Sequence, residues 1–203
     1  MNFSSKILEE SVSVLSSLPG IGRKSALRLA LHLAQDDSKK AQKIAAALTR
    51  LSSDICKCTI CCNISDHDIC NICSTTSRKS SVICVVESVR DVMAIEDTNQ
   101  FNGRYHVLGG VISPLDGIGP SDLSIELLIK RIKEEQTSEL IMAISPTIEG
   151  ETTIYYITTM LKDIDVKISV IARGVSFGGD LEYADELTLG RSITSRMPYN
   201  AQF

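Results

Sequence analysis

Six of the chain's seven cysteines fall between residues 56 and 73, in the stretch CKCTICCNISDHDICNIC, and nothing else limits the fold as tightly. Cys58/Cys61 and Cys70/Cys73 each have C-x-x-C spacing. Each pair can turn two thiolates onto one ion, and together they complete a tetrahedral four-cysteine zinc site with no open position, which makes it structural. Such an ion supplies on the order of 10 kcal/mol toward ordering a segment with few apolar residues. Spacing alone leaves the register open. Cys56 can replace Cys58 at looser C-x4-C spacing, Cys62 would crowd its neighbour, and His67 between Asp66 and Asp68 is a substitute ligand. Free or redox thiols are the competing reading, but two spaced pairs seldom arise by accident. Cys84, inside an apolar strand, reads as a core residue.

The cysteine stretch divides two patterns. Before it, apolar residues recur at helical spacing: Ile7, Leu8, Val12 and Leu15, then Leu27, Ala30, Leu31 and Ala34, then Ile44, Ala47, Leu48 and Leu51. Three short helices follow, with breaks at Leu18–Gly22 and at DDSKK. After it, SVICVVE (81–87), RYHVLGG (104–110), ELIMAIS (139–145) and VKISVIA (166–172) read as strands. VRDVMAIED, SDLSIELLIKRIKEEQ (121–136, with Ser121 as N-cap) and TTIYYITTMLKDI read as the helices between them. That alternation predicts an α/β layer with a mostly parallel sheet. With no tryptophan and 4% aromatics, its core must be Ile, Leu, Val and Ala. The last thirty residues are punctuated by glycine and read as an extension.

MNFSSKILEESVSVL lacks a basic region followed by a long apolar run, and no stretch approaches about eighteen apolar residues. The expectation is a cytoplasmic chain with no signal peptide and no membrane span, where cysteines serve as metal ligands or free thiols. The net charge of −4 excludes a basic field over the whole protein, so any nucleic-acid contact must be a local patch.

One local patch stands out at LPGIGRKSALRLALHL. A phosphate-binding Walker A loop needs Gly-Lys adjacency after a buried strand, and both are missing; a G-x-G-x-x-G fingerprint fails for want of its third glycine, with Ser25 and then Ala26 where it would fall. L-P-G-I-G between two helices instead matches the hairpin of a helix-hairpin-helix motif. Its glycines let the backbone approach a phosphate, and the N–H groups opening the second helix face the anion. Lys24 and Arg28, one turn apart beside the hairpin, can neutralise phosphates without reading sequence. The alternative is a plain helix–helix turn with a solvated basic face.

Glu87 ends the first strand of the α/β part, and Glu149 and Glu151 follow ELIMAIS. Carboxylates at the ends of neighbouring parallel strands converge where such sheets carry their sites, and three acids can hold Mg2+ for phosphoryl transfer. Acids favoured at helix N-termini are the competing reading. His32, His67 and His106 lie in unrelated contexts, and Tyr155 and Tyr156 sit inside a helical run.

In order, LPGIGRKSALRLALHL, CTIC…CNIC, ICVVES, YHVLGGVISPLDGIGP and ARGVSFGGDLEYAD resemble the bacterial recombination mediator family RecR over nearly the whole chain. The resemblance implies an α+β chain in parts: a helix-hairpin-helix domain (1–54), a four-cysteine zinc finger (55–78), a Toprim α/β domain (79–172) and a C-terminal tail (173–203). It places the Zn2+ ligands on Cys58, Cys61, Cys70 and Cys73 and the DNA-binding cations on Lys24 and Arg28. It implies a ring-shaped homo-oligomer, typically a tetramer, able to encircle DNA. It implies work with RecO and RecF to load RecA on gapped DNA coated with single-strand-binding protein, with partners docking on the Toprim surface at Glu87, Glu149 and Glu151. Two departures count. Catalytic Toprim domains carry D-x-D where this chain has SPTIEGE, which points to a non-catalytic mediator over an Mg2+-dependent nuclease or strand-passing enzyme. The tail has Ser176 where a proline is expected after Gly174-Val175.

Overall fold

The structure, a computed structural model, describes residues 3–35, 39–175 and 178–198; Ser176 and Asp36–Ser38 of the DDSKK break lie outside the described residues. The chain forms two compact units, Met1–Ile55 and Cys56–Phe203.

The first unit is three helices: α1 (Lys6–Ser16), α2 (Arg23–Ala34) and α3 (Lys40–Ser53). Ser5 caps α1 by accepting from the Leu8 N–H at 3.3 Å, the usual way of satisfying a free donor at a helix start. α1 and α2 close on Val12, Ala26 and Ala30, flanked by Leu8, Leu15, Ile21 and Leu27. This corrects the expected α2 stripe. The two alanines make the seam, because small side chains let helices approach closely, while Leu31 and Ala34 are exposed. α3 keeps the expected apolar face of Ile44, Ala47, Leu48 and Leu51, but buries none of it.

The second unit opens with a two-stranded antiparallel hairpin, β1 (Cys56–Lys57) and β2 (Ile64–Ser65), and the single turn α4 (Asn71–Ser74). Then β3 (Lys79–Val86), α5 (Val89–Asp97), β4 (Gly103–Val107), α6 (Ile125–Glu134), β5 (Glu139–Ala143), α7 (Ile148–Met160) and β6 (Lys167–Val170) build the α/β layer. The four long strands pair in parallel in the order β4-β3-β5-β6. Right-handed crossovers then require α5 on one face and α6 and α7 on the other. The packing agrees: Ile83 and Val85 join Leu128, Ile132, Ile157 and Leu161 on one side, while Cys84 and Val86 join Val92, Tyr105 and Val107 on the other. α8 (Glu186–Thr194) closes the described chain, capped by Asp185.

Two boundaries differ from expectation. Ser121 is not a helix cap; it lies in a 3-10 turn over Pro120–Asp122, and α6 begins at Ile125 after Ser124. Pro120 favours that tight turn, and Asp122 accepts from the Gly119 N–H at 2.8 Å, fixing it. α7 begins earlier than the apolar pattern indicates, because Thr147 caps it by accepting from the Gly150 N–H at 3.1 Å.

Candidate functional site

The hairpin follows from its residues. The Ile21 N–H donates to the Leu18 carbonyl at 3.1 Å, Pro19 supplies a fixed φ, and Gly20 sits at φ +80°. Pro then Gly with positive φ is the pattern of a type II turn. α2 starts at Arg23 with Gly22 as N-cap, and no side chain caps it. Its first N–H groups are therefore open to an anion. Lys24 and Arg28 are both exposed, and their i, i+4 spacing on α2 puts them on one face.

In the second unit, Cys58, Cys61, Cys70 and Cys73 converge, with all four sulfurs within 4.8 Å of one another and all four residues buried. The Cys61 and Cys70 sulfurs are 3.5 Å apart. Among the described residues this is the one group of three or more Cys, His, Asp or Glu that can hold a metal ion. The remaining alternatives face elsewhere. The Cys56 thiol donates to the Ser65 and His67 carbonyls, both at 3.3 Å. Cys62, at φ +60°, packs into the core beneath the sheet. His67 is exposed. The cluster is sealed against β4, where the Val107 N–H donates to the Cys61 carbonyl at 2.8 Å. Ile72 packs on both the cysteines and the sheet core.

Protons are held unequally there. A hydrogen bond from Cys61 brings Cys73 down to about 6. The same bond and burial raise Cys61, and burial raises Cys70. Four buried thiols cannot all ionise without a cation, and a divalent ion supplies that charge.

The three acids do not gather as expected. The Glu87 carboxylate accepts from the Ser145 N–H at the end of β5. Glu149 and Glu151 lie in the first turn of α7, and Glu151 pairs with Arg173. The early start of α7 is the cause: it turns these acids onto a helix instead of leaving them in the loop after β5. That start packs tightly, since a Cβ on Gly150 would sit 2.0 Å from the Ser145 carbonyl oxygen. The histidines are equally scattered: His32 lies against Lys40 at 3.2 Å, and His106 is buried with its Nε2 3.0 Å from the Ser124 carbonyl.

One residue escapes a reading of the sequence. Arg131 is 4% exposed on the inner face of α6. It stands among Lys130, Lys133 and Glu134 in a charged run, and only its place between Leu127 and Leu128 on the helical wheel hints that it is buried.

A helix-hairpin-helix unit joined to a four-cysteine module on a parallel Toprim-like sheet defines a class of nucleic-acid-handling proteins. The Toprim domain family matches residues 81–172. The families described as RecR, helix-hairpin-helix and RecR, C-terminal match residues 8–51 and 174–197. The chain is 53% identical over 198 residues to the recombination protein RecR of Parabacteroides distasonis, covering 98% of this chain and 95% of that one. It is 54% identical over 194 residues to that of Phocaeicola vulgatus, covering 96% and 95%. With that of Flavobacterium psychrophilum it shares 51% over 203 residues, covering 100% and 98%. The chain belongs to the RecR family of recombination proteins.

Proposed function

We propose that this protein is a non-catalytic DNA-binding clamp and adaptor in recombinational repair, acting with RecO and RecF to help load RecA on gapped DNA. The observation that carries this reading is the open start of α2 behind a Pro-Gly turn, with Lys24 and Arg28 exposed beside it. Backbone N–H groups and two cations together suit phosphates of any sequence. The weak grip of one copy is multiplied if several copies surround the DNA. The bare apolar face of α3 and the groove of about 660 Å³ lined by Val170, Leu187 and Met197 favour such a homo-oligomer, a tetrameric ring by resemblance.

The metal is zinc, held by Cys58, Cys61, Cys70 and Cys73. Tetrahedral zinc–thiolate bonds of about 2.3 Å set sulfur–sulfur edges of about 3.8 Å, and four buried sulfurs within 4.8 Å of one another suit them. The ion supplies structural cross-linking, with no open position for chemistry. Non-catalysis is favoured by the fate of the acids: Glu87 is engaged by the Ser145 N–H and Glu151 by Arg173. Of the three docking candidates, the Glu149 carboxylate alone has no bond among the described residues, so it is the one most available to a partner. No helix among the described residues is long and apolar enough to cross a membrane. The proposed role in repair places its work in the cytoplasm, on the nucleoid.

The test is fluorescence anisotropy on labelled gapped DNA, with and without RecO, at two salt concentrations. Wild type should bind, with affinity falling steeply as salt rises, and Lys24→Ala/Arg28→Ala should lose most of it. A double variant that binds like wild type sinks the hairpin reading. Mg2+-dependent cleavage that disappears in Glu87→Gln sinks the non-catalytic one.

A further inference from the structure

Four thiolates around a divalent ion leave two surplus negative charges, and burying them uncompensated is costly. Here all four cysteines are buried, so a nearby cation is expected. Lys57 is exposed to solvent. Arg78 is forked onto Glu96 and the Gly103 carbonyl. His106 is fully buried with no partner on Nδ1, and burial pushes it down to about 4, so it stays neutral.

We propose that Arg131 is the counter-charge of the four-cysteine centre, a buried guanidinium reaching from α6 under β4 to offset the negative charge of the metal-bound thiolates. The inference rests on the zinc reading above. Its geometric basis is threefold. Nη1 donates to the Tyr105 carbonyl at 2.7 Å, which anchors the guanidinium at β4, the strand against which the cysteine module is sealed. Nη2 is buried with no partner, a donor left unmatched in a well-packed site. Nε donates to Glu135 at 3.0 Å, but Glu135 is 26% exposed, so water screens that carboxylate more than it screens Arg131. A buried guanidinium with one nitrogen left unmatched is expensive. A dianionic centre sealed against the same strand offsets that charge.

The experiment compares full-length wild type, R131M, R131K and E135Q. Zinc is quantified by mass spectrometry, its affinity is measured against a chromophoric chelator, and the thiolate-to-metal charge-transfer band is recorded after cobalt substitution. R131M should weaken zinc by roughly 10–100-fold, the usual scale for outer-shell partners, and shift the cobalt band to lower energy. R131K keeps the charge without the fork and should recover most of both. E135Q should hold zinc at least as tightly as wild type. If R131M fails to fold, R131K and E135Q still decide. Either of them losing zinc as R131M is expected to would mean that the ion pair merely supports the fold, and the proposal fails. R131M with wild-type affinity and an unmoved band also overturns it. A wild type that neither contains nor takes up zinc defeats the metal reading first, and this inference with it.

Discussion

In the helical unit two helices close on Val12, Ala26 and Ala30, and α3 buries nothing. In the unit from Cys56 a four-stranded sheet is covered on both faces, and the cluster of thiols is sealed against one of them. The first unit has a thin seam of small side chains; the second has a full core and a cross-link. Domains this small are marginal when their core is thin. The contrast teaches where each unit's stability must come from: the second from its own packing and its ion, the first from surface it can still cover.

The largest expected effect is on the ion. Cys70→Ser or chelation should remove a contribution on the order of 10 kcal/mol. Hydrogen exchange should then show residues 56–74 losing protection, while α1 and α2 change little. Equal loss in both units would break the comparison. Next comes the core. Leu128 is fully buried among Val85, Leu140 and Ile157, and Leu128→Ala should cost about 2–5 kcal/mol by urea denaturation.

Acid sharpens the contrast further. His106 belongs to the second unit and is brought down to about 4 by burial first, with the Arg131 charge adding to it. An unfolded histidine titrates near 6.5. Above that pH both states are neutral and stability is complete. As pH falls from about 6.5 toward 4 the unfolded chain binds the extra proton, and stability drops by up to about 3 kcal/mol. His106→Gln should flatten that slope relative to wild type between pH 7 and 5. An unchanged slope would mean that His106 is not held neutral.

How much of this can be read from the chain alone varies with the physics. The cysteine spacing is local geometry, so Cys58, Cys61, Cys70 and Cys73 are legible as a set, and the structure brings those four together. The strands are legible because β3 and β5 are buried on both faces and read as continuous apolar runs. The α2 stripe is misjudged because Ala26 and Leu27 look alike in periodicity, and only the partner helix decides which one makes the seam. The acids are misjudged for a related reason: a threonine cap at Thr147 moves the start of α7, and one turn of helix separates converging carboxylates from dispersed ones. Arg131 is all but hidden in its charged run, since what buries it is a strand far away in sequence, whose Tyr105 carbonyl it meets.

The smallest effect on a single chain is also the one that tests the thin unit most directly. Leu48 is 56% exposed at the centre of the α3 face. A substitution there removes almost no packing from an isolated copy, so Leu48→Asp should leave the unfolding free energy of the monomer within about 0.5 kcal/mol. If the face is covered by a second copy, the same change buries a charge in an apolar contact, and assembly should collapse. Sedimentation velocity at fixed concentration separates the cases. A shift to smaller species with intact helicity means that the first unit is completed by its neighbours. Unchanged assembly means that α3 remains bare in the working protein, and the thin seam of α1 and α2 must suffice alone.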